Sequence, residues 1–202
     1  MGKVIESNED FRQSIIEGRN GERFFQKYHE GIAKRKGYTL VNVANVPEWM
    51  DQDVDFLLEK DGEVFKKIEV KIDKRCDGWS KELAKPTGNV VYEVQTHDKY
   101  GRPAKGWCEK TKCDYAVLIL GDCNWIDNIL CVTRVVWIDM AMWRKYIKEH
   151  PSELHILKEA HPKSDEDEIH DYRNNLEELR NYGAIYYENT NVAGRLIHLN
   201  EV

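Results

Sequence analysis

Apolar residues recur along the chain in two rhythms, one close to 3.6 and one close to 2, and the switching between them predicts a mixed α/β architecture. From residue 7 to 36 the spacing is helical, with Phe24, Phe25, Tyr28 and Ile32 near one face. Asn20-Gly21 predicts a break into two helices, and Gly37 predicts the stop. Strand patterns follow over 38–46, closed by Pro47, and over 53–58. Lys60-Asp61-Gly62-Glu63 reads as a hairpin turn, with the return strand over 64–72. Further strands are expected over 89–96 and 114–120, the second nearly all apolar and therefore central. Another apolar stretch spans 124–137, and a helix spans 140–150. Ser164, with Asp167 three residues on, predicts the cap of a last helix striped by Ile169, Tyr172, Leu176 and Leu179. Gly183 lies near its stop, and two short strand-like runs follow.

At 202 residues the chain suits a single domain, with a core over about 21–120 and an elaboration over about 121–202. Hydrophobic residues are 41% and charged residues 33%, an ordinary globular composition. No apolar run approaches the roughly 18 residues a membrane crossing needs, and no basic-then-apolar leader opens the chain. A cytoplasmic protein is therefore expected, without a membrane partner. Cysteines 76, 108, 113, 123 and 131 include no CxxC pair, so reduced thiols are expected in a reducing compartment. The acidic run 165–168 suits first-turn dipole complementation, and none of His150, His155, His161 and His170 are paired at i, i+4.

Charge sharpens the picture. The formal net charge is −6, yet residues 66–112 hold 12 basic against 7 acidic side chains. A basic middle in an acidic chain suits a local polyanion-binding face.

The candidate chemistry lies on the hairpin. A turn centred on Asp61-Gly62 places Asp55 nearly opposite Glu69, and strand alternation puts Glu69 and Lys71 on one face with Val70 between them. Two carboxylates held side by side repel unless a cation sits between them. A lysine two residues on can steer water near that cation and neutralise charge developing on a phosphate. Asp53 shares a face with Asp55 and competes as a ligand; Asp55 fits the hairpin better.

With these elements in this order, the chain resembles the PD-(D/E)xK nuclease superfamily, the restriction-endonuclease-like fold, over about residues 21–120. The motif stands here as Asp55 and Glu69-Val70-Lys71, with Val54 where a proline often precedes the aspartate. The resemblance implies a central mixed β-sheet flanked by helices, with C-terminal helical and strand additions. It implies Asp55, Glu69 and the Val70 carbonyl as ligands to one or two Mg²⁺ or Mn²⁺ ions, Lys71 as the catalytic lysine and Glu22 as the helical acid. A second resemblance, to small stand-alone nucleases of phages and bacteria, rests on Asn89, Glu93, Gly106-Trp107 and Asp114-Tyr115 in that order. It implies Glu93 as an outer metal ligand and Gln95 as a group positioning water or phosphate, equally open to a structural role.

Two basic loops containing tryptophan flank this region. Lys74, Arg75, Lys81 and Lys85 accompany Trp79; Lys99, Arg102 and Lys105 accompany Trp107. Basic residues interleaved with tryptophan suit phosphate contact plus base stacking. The expectation is a metal-dependent phosphodiesterase acting on nucleic acid, DNA ahead of RNA. A symmetric homodimer would suit a junction-resolving enzyme. The alternative is a catalytically silent nuclease-fold protein that grips nucleic acid or inhibits a protein partner.

Overall fold

The apolar run that opens at Tyr115 lies at the centre of a sheet in the computed structural model, which describes residues 8–73, 89–97, 102–124, 128–151, 155–158, 170–188 and 194–199. The helices are α1 (Asn8–Arg35), α2 (Pro47–Met50), α3 (Trp107–Lys110), α4 (Met140–Glu149) and α5 (Leu176–Tyr182). The strands are β1 (Thr39–Asn42), β2 (Phe56–Lys60), β3 (Glu63–Asp73), β4 (Asn89–Tyr92), β5 (Gln95–His97) and β6 (Pro103–Lys105), then β7 (Tyr115–Asn124), β8 (Ile129–Asp139), β9 (His155–Lys158), β10 (His170–Asn175), β11 (Ile185–Tyr187) and β12 (Leu196–His198).

The main sheet has seven strands in the order β1-β2-β3-β7-β8-β11, with β12 also on β8. All its pairings are antiparallel except β3 with β7, so it is a mixed sheet flanked by helices, as expected. A parallel pair requires a long crossover. The chain between β3 and β7 supplies it, and its described part includes α3 with Trp107. Phe25, Ile68, Val70, Val117 and Ile119 fill the α1 side of the sheet. Leu57, Ala116, Leu118, Ile138 and Trp143 fill the opposite side with α4 and α5.

Helix α1 is continuous, not two helices. Gly21 is buried against β3, and a Cβ there would stand 2.7 Å from Ile72 Cγ1. The glycine lets helix and sheet approach closely; it does not break the helix. Gly37 ends α1 in the left-handed conformation (φ 78°), as expected.

Strand β1 is shorter than its apolar pattern. It ends at Asn42, Val46 is extended before Pro47, and Pro47 begins α2, the helical position its fixed φ suits. Strand β2 begins at Phe56, since Asp53 has a positive φ (49°). The hairpin turn is formed as expected, with Asp61 at φ 53° and Gly62 at φ 83°.

The strand expected over 89–96 divides. Asn89–Tyr92 pairs with β10 in a three-stranded sheet, and Gln95–His97 pairs with β6 in a two-stranded one. The last helix also starts later than expected: 170–175 is a strand, and Asn175 caps α5 by accepting Glu177 N–H at 2.8 Å. Tyr172, expected on a helical stripe, pairs with Tyr92 across the ladder. Ser164, Ile169 and the acidic run lie outside the described residues.

Candidate active site

The site forms where β2 stops short beside β3. Residues of the two strands pair with numbers summing to 124 from Phe56↔Ile68 through Leu58↔Lys66, before a bulge shifts the register. Asp55, one residue outside the ladder, continues that register opposite Glu69. Its backbone N–H donates to Ile68 O at 2.9 Å, and its Oδ2 accepts the Val70 N–H at 2.8 Å. In a strand the N–H and C=O of one residue point the same way. The Val70 carbonyl therefore faces the same gap beside Asp55.

Glu69 is only 3% exposed, and Lys71 forms an ion pair with its Oε1. Its other oxygen, Oε2, is buried with no hydrogen-bond partner. Such an atom pays a desolvation penalty with nothing returned. Burial pushes the Glu69 carboxyl up to about 7, Lys71 opposing and Asp55 reinforcing the shift. Burial likewise raises Asp55 to about 6, against the pull of the Val70 N–H. Glu22, on α1, is raised by burial and then by Glu69, so its carboxyl belongs to the same acidic field. Burial alone would lower Lys71, but Glu69 and then Asp55 hold it above its ordinary value.

The structure thus brings together Asp55, Glu69, Val70 and Lys71, with Glu22 on α1 within their electrostatic reach. Asp53 instead pairs with Lys110 (3.0 Å). Glu93 Oε1 accepts the Trp107 N–H at 2.9 Å at the start of α3, and Gln95 lies opposite Lys105 on β5–β6. Arg102 and Lys105 are exposed; Lys74, Arg75, Lys81, Lys85 and Lys99 lie outside the described residues.

Several neighbours had no short-range signal in the sequence. Cys113, a buried free thiol, lies beside Glu69 and is pushed up to about 12 mainly by burial. Thr111 Oγ1 donates to Asp53 O at 2.9 Å. Arg144 of α4 donates to Cys108 O (2.9 Å) and Thr111 O (2.8 Å), fixing the segment between Gly106 and Asp114. Trp107 is turned toward the site, its ring 5.6 Å from Lys71 Nζ. The sequence suits Trp107 to base stacking beside basic residues; the GW dipeptide carries no hint of a lysine 36 positions earlier.

The donor set suits a hard divalent ion: two carboxylates and a backbone carbonyl. The orphaned Glu69 Oε2 is the observation that fits such an ion. Among the described residues no three His, Cys, Asp or Glu side chains form a ready-made cage. A bound ion would therefore complete its shell with the carbonyl and water.

No family model matches the chain, and no curated protein matches it. Among solved structures it is similar to a bacterial homing endonuclease, at 14% identity over 63% of this chain and 72% of that one, with a TM-score of 0.36. Among the described residues no helix is long and apolar enough to cross a membrane.

Proposed function

We propose that the chain is a metal-dependent nuclease that hydrolyses phosphodiester bonds, with Asp55, Glu69 and Lys71 at its centre. The observation that carries this reading is the buried Glu69 carboxyl, one oxygen on Lys71 and the other without a partner, beside Asp55. A purely structural Glu–Lys pair would be expected to satisfy both oxygens, since removing charge from water without partners is costly. The resemblance to PD-(D/E)xK nucleases supports the same assignment.

In this reading Asp55, Glu69 and the Val70 carbonyl hold Mg²⁺ or Mn²⁺. The ion, when bound, polarises the phosphate and acidifies a water. Asp55 is kept in place by the Val70 N–H. Lys71 presents an ammonium to the anionic phosphate and neutralises charge gathering on it. Glu22 orients water from the α1 side.

The test is cleavage of single-stranded, duplex and branched DNA and of RNA, with Mg²⁺, Mn²⁺ or EDTA, alongside Glu69→Ala. Cutting that needs metal and disappears in the variant is expected. A wild-type protein that neither cuts nor binds either ion would overturn the reading and favour a silent nucleic-acid-binding relative.

A further inference from the structure

We propose that Trp107 is a positioning residue for Lys71, holding its ammonium at the site when a cation takes Glu69. The inference rests on the nuclease reading and concerns how that site keeps its lysine.

Lys71 has two anchors. One is Glu69 Oε1; the other is the face of Trp107, 5.6 Å from Nζ to the ring centroid. The Lys71 side chain is 39% exposed, so it is not caged by packing. An ion on Glu69 draws off the carboxylate charge and repels the ammonium, leaving the first anchor weakened. Tryptophan is the strongest aromatic partner for a cation. It attracts the ammonium through the ring quadrupole, accepts no proton, and leaves the N–H donors free to face phosphate.

The ring is well placed to act alone, because the site does not hold it. Glu93 Oε1 accepts the Trp107 backbone N–H, and the Gly106 backbone N–H donates to Val94 O at 2.8 Å. A side chain at position 106 would meet Glu93 O at 2.5 Å, so the turn that aims the ring requires glycine. Arg144 ties down the carbonyls of Cys108 and Thr111. Trp143 abuts the ring at 6.2 Å in an edge-to-face arrangement. None of these contacts involves Asp55, Glu69 or the Val70 carbonyl, so they remain when Glu69 is engaged elsewhere.

The experiment compares Trp107→Leu and Trp107→Phe with wild type. Reactivity of Lys71 toward an acetylating reagent, mapped by mass spectrometry, is measured with saturating Mn²⁺ and again in a Glu69→Gln background without metal. In both settings Trp107→Leu should raise Lys71 labelling about 2- to 30-fold, the range a cation–π contact of ordinary strength implies. Trp107→Phe should fall between, which excludes a folding defect as the cause. On the nuclease substrate Trp107→Leu should lower kcat by a similar factor, with KM and Mn²⁺ affinity within about twofold of wild type. Unchanged labelling in both settings overturns the proposal, as does a higher KM at unchanged kcat, which would make Trp107 a substrate-stacking residue. If wild type neither cuts nor binds Mn²⁺, the nuclease reading fails; the Glu69→Gln arm still decides whether Trp107 positions Lys71.

Discussion

A carboxyl buried as deeply as that of Glu69 is costly to ionise, and in the metal-free protein this cost should be visible in the stability curve. Burial pushes both carboxyls above the ordinary carboxylate range, Asp55 up to about 6 and Glu69 up to about 7. Between pH 4 and 7 the folded state therefore keeps protons that the unfolded chain has released. The sign follows: stability falls as pH rises through that window. Metal-free protein should melt at a lower temperature at pH 8 than at pH 5.5. Glu69→Gln, which cannot ionise, should flatten that slope by an amount on the order of 1–3 kcal/mol. A slope unchanged in the variant, followed by calorimetry, would show that Glu69 does not carry the effect. Added Mg²⁺ should stabilise wild type more at pH 8 than at pH 5.5, because its ligands must be deprotonated. Lys71 bears differently on the same site. It is not among the proposed ligands, so Lys71→Ala should leave Mg²⁺ affinity within a few-fold by isothermal titration while turnover falls at least 100-fold. Retained turnover would remove Lys71 from the mechanism.

At the scale of elements, the hairpin was the most legible part of the chain. Asp61-Gly62 dictates a tight turn with two positive φ values, and the turn in turn sets which residues lie opposite. That is why Asp55, Glu69 and Lys71 could be placed together from sequence. Less legible were features decided by contacts distant in sequence. Gly21 looked like a helix break because local propensity disfavours glycine in helices; Ile72, 51 positions later, explains it. The stripe through Tyr172, Leu176 and Leu179 had helical spacing, yet Tyr172 belongs to a strand because β4 offers it a ladder and Asn175 supplies the cap. The Gly21 reading can be checked directly. Gly21→Ala should destabilise by about 1 kcal/mol in chemical denaturation, overpacking against Ile72 outweighing the helix propensity gained. In an Ile72→Ala background the same substitution should be neutral or stabilising. Equal cost in both backgrounds would mean that the close approach to Ile72 is not what requires glycine.

At the scale of the whole molecule, the chain after Leu120 does more than extend a finished core. Strand β8 covers the full length of β7, and Val136, Ile138, Met140 and Trp143 share one buried cluster with Leu118 and Leu120. Past β11, Glu188 reaches back to α1, where both its carboxylate oxygens lie within 2.9 Å of His29 Nε2 and one accepts from Trp137 Nε1 at 3.3 Å. His29→Ala should therefore cost about 1–3 kcal/mol in chemical denaturation, the scale for leaving a largely buried carboxylate without its hydrogen-bond partner. The site itself depends on this region through Arg144, which ties Cys108 and Thr111, in the segment that carries Trp107, to α4. A fragment of residues 1–124 keeps Asp55, Glu69 and Lys71 but loses β8, the β7 partner on that side, and the face supplied by α4. An uncovered central strand this apolar is an aggregation hazard, not a stable edge. The fragment should show no cooperative thermal transition by circular dichroism, should bind Mn²⁺ at least tenfold more weakly than the full chain, and should elute as soluble aggregate. A monomeric fragment with a sharp transition would make residues 21–120 a self-sufficient unit and reduce the later chain to an accessory.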